Sequence, residues 1–117
     1  MKQRIYLDYL EDIAQAIYDI EIFVGNLTYK EFITDRKTSL AVIRSLEIMG
    51  EASKKIPSSI RNKYPSIQWK RISGMRDKLI HEYFGVDNEI LWQVIKKDIP
   101  VLKKKIMKII SATDRIL

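Results

Sequence analysis

The sequence predicts an all-α fold, an antiparallel bundle of four to five main helices. Apolar residues recur at three- and four-residue steps along most of the chain, and no segment alternates polar and apolar residues as a half-buried strand does. The composition agrees, because 46% of the residues are hydrophobic and 31% charged, with only 4 Gly and 3 Pro. A chain of 117 residues without a change in composition is expected to form one domain, residues 1–117.

The first third of the chain predicts a long helix, a short helix and the start of another. Gly25 is suited to end the first helix. Thr28 and Glu31 have the spacing of a capping box, which opens the short helix, and a new helix is expected to start near Asp35. The apolar stripe of the first helix consists of Ile5, Tyr9, Leu10, Ile13, Ile17, Ile20 and Val24.

The central region predicts a second long helix with a buried side and a charged side. Pro57 stops this helix, and residues 57–69, with two prolines and several serines, are interpreted as short helical turns in a connector. The buried side contains Val42, Ile43, Leu46, Met49, Gly50 and Ser53. The charged side contains Arg44, Glu47, Glu51, Lys54 and Lys55.

The last third predicts a fourth helix from Trp69 onward and a closing helix. Asp87 is placed to cap the closing helix, which is expected to be kinked or split near Pro100, with Asp98 starting its final segment. The apolar arc of the fourth helix contains Ile72, Met75, Leu79, Ile80 and Tyr83.

The composition excludes several kinds of chemistry. There is no cysteine and a single histidine, so disulfides, thiolate nucleophiles, Cys-ligated zinc and His clusters are excluded, and any metal site would need carboxylates alone. Glu47 and Glu51 are one helical turn apart, but the basic residues beside them favour a solvated salt-bridge face over a metal site. No metal and no cofactor is therefore expected.

Net charge and hydropathy limit which partners and which cellular compartment are expected. The net charge of +6 and the sequence pI near 9.5 suit a polyanion such as nucleic acid, although a merely soluble basic protein fits the charge equally well. The N-terminus has no continuous apolar region of the signal-peptide kind, and no segment approaches the ~20 apolar residues that span a bilayer. A cytoplasmic protein without a membrane partner is expected.

The stretch "GMRDKLIHEYFGVD", residues 74–87, contains the candidate site. Arg76 projects near the middle of the apolar arc of the fourth helix, where arginine needs either an acidic partner or a cleft that holds an anion. An internal ion pair with Glu47 or Glu51 and an anion-binding cleft are equally compatible with this position.

Three further residues of the stretch are candidates. Asp77 and His81 are one turn apart, so the carboxylate can hold the imidazole in one tautomer, as a general acid or base requires. Tyr83 lies on the same face as Arg76 and could donate to the same anion or be modified. A satisfied surface histidine and a core tyrosine are the simpler readings of the same two positions.

These residues resemble a known family. The stretch matches the R-x4-H-x-Y motif of HEPN domains, and the chain resembles the HepT-like toxins of that family. The likeness covers nearly the whole length: "AVIRSLEIMGEASKKIP" is similar to the central helix of the family, "YPSIQWKRISGMR" to the approach to the motif, and "VDNEILWQVIKKDIPVLKKKI" to the closing helices.

The resemblance implies an all-α HEPN-like bundle, a homodimer with two motifs facing each other across a cleft, and metal-independent ribonuclease activity. It implies an antitoxin of the minimal nucleotidyltransferase (MntA-like) type that transfers AMP to the motif tyrosine. By position, Arg76 and His81 become the catalytic pair, Asp77 the supporting polar residue and Tyr83 the AMPylation site. Asp77 stands where family members often have Asn, and its carboxylate would repel a phosphate unless a basic group compensates.

One chain cannot supply all the groups that metal-free cleavage of RNA needs. The reaction uses a base, an acid and a cation, and the chain has one histidine. A two-fold dimer would bring two copies of His81 and Arg76 to one groove. The alternatives are a non-catalytic nucleotide- or RNA-binding subunit that partners a nucleotidyltransferase, and a structural helical adaptor.

Overall fold

The computed structural model describes residues 5–79 and 87–116, with side chains for residues 5–75 and 87–113. Every regular element in this part of the chain is helical, so the predicted all-α fold is confirmed. The bundle consists of two helices of 19 residues, a third helix of 11 residues and a closing helix that runs continuously from residue 88 to residue 116. Two helices of six residues each connect the first three of these. The elements are α1 (Tyr6–Val24), α2 (Tyr29–Thr34), α3 (Arg36–Lys54), α4 (Ser58–Lys63), α5 (Trp69–Leu79), α6 (Asn88–Gln93), a π-helical segment (Val94–Asp98) and α7 (Ile99–Ile116).

The predicted ends of the first helices are confirmed. Gly25 ends α1 with a φ of 51°, a conformation that glycine adopts without steric cost. In the capping box of α2, the backbone N–H of Glu31 donates to Thr28 Oγ1 at 3.2 Å, and the N–H of Thr28 donates to Glu31 Oε1 at 2.9 Å. Asp35 caps α3 by accepting from the backbone N–H of Thr38 at 3.0 Å.

Hydrogen bonding at these caps changes the acidity of both carboxyl groups. The bonds from the backbone N–H and the side chain of Thr28 lower the pKa of Glu31, and those from Thr38 lower the pKa of Asp35. Both carboxylates are therefore ionised, and the caps intact, over the neutral pH range.

The apolar stripes predicted for α1 and α3 form the core, with one exception. Ile5 precedes α1 and is 53% exposed, because the helix begins one residue later and the N–H of Ile5 donates to Asp8 Oδ2. α1 packs against α3 and α7, and α3 packs against α5. The largest fully buried side chains are Phe32, Leu10, Ile13, Ile17, Ile20, Leu46, Met49, Ile56, Leu91, Ile106 and Ile109.

The closing helix is irregular just before Pro100. Asp87 caps it by accepting from the N–H of Ile90 at 3.1 Å. The N–H of Ile99 bonds the carbonyl of Val94, five residues back, so the backbone forms a π-helical turn and then continues through Pro100. Proline lacks an N–H and crowds the carbonyl four residues earlier, and a wider turn relieves both problems. The expected irregularity is present, and α7 begins at Ile99, directly after Asp98.

Candidate active site

Helix α5, which carries the first half of the motif, lies very close to α3. A Cβ atom added to Gly50 would lie 3.4 Å from the carbonyl oxygen of Ile72 and 3.5 Å from that of Ser73. The backbones therefore meet with no side chain between them, which explains why the buried face of α3 includes a glycine. Ile72 and Met75 of α5 are 5% and 6% exposed, so α5 is fixed against the core up to the residue before Arg76.

The beginning of α5 is fixed by an aromatic anchor. Trp69 is 8% exposed, and its indole N–H donates to the carbonyl of Tyr64 at 3.1 Å. Ile67, in the same connector, is 4% exposed. The connector that includes α4 therefore packs into the fold and determines where α5 starts.

The four predicted site residues are only partly within the described structure. The backbone of Arg76 and Asp77 belongs to α5, whereas their side chains lie outside the described residues. His81 and Tyr83 lie in residues 80–86, also outside them. The roles assigned to Arg76, Asp77, His81 and Tyr83 therefore remain predictions, as does the pairing of Asp77 with His81.

The acidic residues of α3 fit the solvated face that the sequence predicted. The carboxylate of Glu51 lies 3.8 Å from Lys54 Nζ, and its side chain is 72% exposed. Glu47 is half-buried, and an ion pair between Glu47 and Arg76 remains an alternative for the arginine. In residues 5–79 and 87–116, no group of three or more His, Cys, Asp or Glu residues could hold a metal ion.

A cleft that the sequence did not reveal lies beside α5. We call it the basic cleft; it has a volume of about 180 Å³ and is formed by the start of α5 and by the π-helical segment with the start of α7. Arg71 Nη2 lies 2.7 Å from Asp98 Oδ2 across it, and Lys105 Nζ donates to the carbonyl of Ser66 at 2.8 Å. Lys97 also lines it.

Sequence reasoning missed this cleft because its walls come from segments about 30 residues apart. Asp98 was interpreted as a helix start, and its partner Arg71 was one of many basic residues. The available signal was the recurrence of basic residues in both segments, at Lys70 and Arg71 and again at Lys97 and Lys105.

No helix in the described part of the chain combines the length and the apolar character needed to cross a membrane.

Comparisons with known proteins identify the family. A family model described as "Ribonuclease HepT-like" matches residues 13–109. A Thermococcus cleftensis protein named "Probable ribonuclease HepT" is 52% identical over 92% of this chain and 97% of its own length. A Methanocaldococcus jannaschii protein named "Putative RNase" is 49% identical over 95% of this chain and 92% of its own.

A third relative, from Caldanaerobacter subterraneus, is 45% identical over 88% of this chain and 92% of its own length, and it is also named as an RNase. No solved structure matches the chain. The matched region extends from the middle of α1 to the second half of α7 and so contains the motif and both helices that flank it. The chain belongs to the HepT-like ribonuclease family.

Proposed function

We propose that this protein is a ribonuclease that cleaves RNA without a metal ion, at a composite site formed by two copies of the chain. The observation that carries the proposal is the R-x4-H-x-Y motif, Arg76 to Tyr83, beginning in a helix that is packed onto the core. The likeness to relatives named as ribonucleases, over 92% and 95% of the chain, supports the same activity here.

The chemistry assigns a role to each motif residue. One His81 accepts the proton of the ribose 2′-OH, the 2′-oxygen attacks phosphorus, and the 5′-oxygen leaves with a proton from the His81 of the second copy. The products are a 2′,3′-cyclic phosphate and a 5′-hydroxyl. Arg76 stabilises the negative charge that develops on the phosphate oxygens. Asp77 orients His81 by accepting from its imidazole N–H.

The first prediction concerns these two residues. His81→Ala and Arg76→Ala each abolish cleavage of total tRNA in EDTA, with a loss of at least 100-fold, because each removes a group that acts in the transition state (about 10²–10⁴ for an acid–base group). Gel analysis of the cut RNA measures the loss, and circular dichroism and light scattering verify an unchanged fold and dimer. Cleavage at the wild-type rate by either variant would contradict the assigned roles.

The second prediction concerns regulation by an antitoxin. We propose that the protein is a toxin that a nucleotidyltransferase silences by joining AMP to Tyr83. The phenolic oxygen attacks the α-phosphorus of ATP and pyrophosphate leaves, so a bulky anion is placed beside Arg76. Tyr83→Phe therefore remains toxic in cells that express the antitoxin. If the antitoxin still rescues growth, it acts by occlusion and not by modification.

The basic cleft favours one second candidate, a subunit that binds RNA without cutting it. This candidate predicts RNA binding in EDTA with no new fragments, and a His81→Ala variant that behaves as the wild type. Specific fragments produced by the wild type alone exclude it, whereas absence of both binding and cleavage would leave only a structural adaptor.

A further inference from the structure

The basic cleft carries an excess of positive charge. Arg71, Lys97 and Lys105 line it together with a single carboxylate, that of Asp98. A second hollow shares Arg71 with the cleft and contributes Arg61 and Lys70, with no acidic residue in its lining. Five basic residues against one acidic residue give this surface a surplus of four positive charges, out of a net charge of +6 for the chain.

The floor of the cleft is apolar although its rim is charged. Ile67, Ile72 and Met75 line it and are each at most 6% exposed, and Leu102 adds a half-buried side chain. The volume of about 180 Å³ is below the roughly 300–1,000 Å³ of a pocket for a drug-sized ligand. The floor can therefore receive one flat ring system, and the rest of a larger ligand must lie on the rim.

A charged rim around a small apolar floor fits an unpaired nucleotide. Sequence-tolerant recognition of single-stranded RNA uses cations for the phosphates and apolar or planar surfaces for the splayed bases. The amide of Gln68 and the carboxylate of Asp98 are at the rim, where they can meet the polar edge of a base. An acidic peptide would use the cations but would not need the floor.

The cleft shares helix α5 with one of the predicted catalytic residues, Arg76. Arg71 and Arg76 are five residues apart in α5, which places their backbone positions about 7.5 Å apart along the helix axis. The two residues also lie about 140° apart around the axis, so a strand bound at the basic cleft must pass partly around α5 to reach Arg76.

From these observations we propose that the basic cleft is an RNA-binding subsite, which holds the phosphates of the substrate strand on Arg71, Lys97 and Lys105 and one unpaired base on its apolar floor. The inference rests on the proposed ribonuclease function and deepens it, because it names single-stranded RNA as the substrate form and the segment of the protein that positions it.

The test measures binding of a fluorescent single-stranded RNA in EDTA at several salt concentrations, in a His81→Ala background that prevents cleavage. Each lost phosphate contact reduces the slope of log K against log salt by about 0.7 for a single strand. Arg71→Gln is expected to lower the slope by about 0.7 and the double variant Lys97→Gln/Lys105→Gln by about 1.4.

A matched control is available on the opposite side of α7. Lys103 Nζ pairs with Glu21 of α1 at 3.1 Å and is 48% exposed, as is Arg71. Lys103→Gln removes the same charge and a similar cross-helix ion pair, but it lies in the groove between α1 and α7. Its slope should equal that of the parent protein. Equal losses in control and cleft variants would mean diffuse attraction to a basic protein and would overturn the proposal.

A second probe tests the apolar floor. An abasic ribose-phosphate oligomer of the same length carries the same charge without bases, so it should bind more weakly than RNA to the parent protein. Equal affinities would refute the base pocket. A glutamate-rich peptide that binds as tightly as the RNA would overturn the choice of ligand.

The outcomes also separate this inference from the ribonuclease proposal. If the wild-type protein cuts RNA and the cleft variants bind and cut as the wild type does, the cleft assignment is wrong and the nuclease stands. If the wild-type protein cuts no RNA but binding depends on the cleft residues, the nuclease is wrong and the subsite stands.

Discussion

Helix α7 forms one wall of two different surface grooves, and their comparison shows how the positive charge of this protein is distributed. The groove with α1, which we call the apolar groove, is lined by Tyr18 and Met107 and by Glu11, Glu21 and Lys103. The basic cleft with α5 has three cations and one carboxylate in its lining. Each groove is crossed by one exposed ion pair. Of these two grooves, the one that faces the motif helix therefore has the excess of positive charge.

The largest expected effect comes from a substitution that disturbs the packing of α5, which lines the basic cleft but not the apolar groove. Gly50→Leu would force α3 and α5 apart, because even a Cβ at this position lies 3.4 Å from the backbone of Ile72. We expect a loss of about 1–3 kcal/mol in the free energy of unfolding, as for other overpacked cores. Urea denaturation followed by circular dichroism measures it.

Gly50→Ala is the matched control for that variant. Its single methyl group fits at 3.4 Å from the backbone of Ile72, and alanine favours a helix over glycine by about 1 kcal/mol. Stability should therefore stay the same or rise by up to about 1 kcal/mol. A loss for Gly50→Ala as large as that for Gly50→Leu would contradict the role of close backbone packing.

A smaller effect on stability is expected when the ion pair that crosses either groove is removed. Arg71→Gln and Lys103→Gln should each change the free energy of unfolding by no more than about 1 kcal/mol, because both pairs are exposed and screened by solvent. The side chains of Arg71 and Lys103 are both 48% exposed. Parallel denaturation curves at low and high salt measure the change. A much larger loss for Arg71→Gln alone would mean that the pair with Asp98 is a structural element of the cleft.

The last test concerns a helix cap away from both grooves, whose effect depends on pH. Hydrogen bonding lowers the pKa of Asp35, so the stability that this cap contributes is present above the ordinary carboxyl pKa near 4 and is lost as pH falls through the lowered value. The melting temperature of Asp35→Ala should be below that of the wild type at neutral pH, and the difference should shrink as the solution is acidified. A difference that grows on acidification would contradict the cap.

Most of the fold followed from the sequence because its signals are local. The capping box at Thr28, the cap at Asp35 and the glycine stop at Gly25 each depend on residues within four positions of one another, and each is confirmed. The pairing of Arg71 with Asp98 was not predicted, because 27 residues separate them. Periodicity alone cannot show which exposed faces of two helices meet.

The candidate site was predictable in a different sense. The motif was found from residue types and spacing, and the roles of its residues stay predictions. The distances among Arg76, His81 and Tyr83 depend on residues outside the described structure. The basic cleft required the three-dimensional arrangement, because its lining residues come from the connector, α5, the π-helical segment and α7.

The wide turn at Val94–Asp98 acts as a one-residue insertion in the closing helix. Core residues are spaced four apart twice, from Leu91 to Ile95 to Ile99, before α7 continues with Ile106 and Ile109. Regular α-helical winding of the same sequence, without the wide turn, would rotate every later side chain by about 100° around the axis. Lys105 would then point away from Ser66. The directions of the lysine side chains in α7 therefore depend on the wide turn before Pro100.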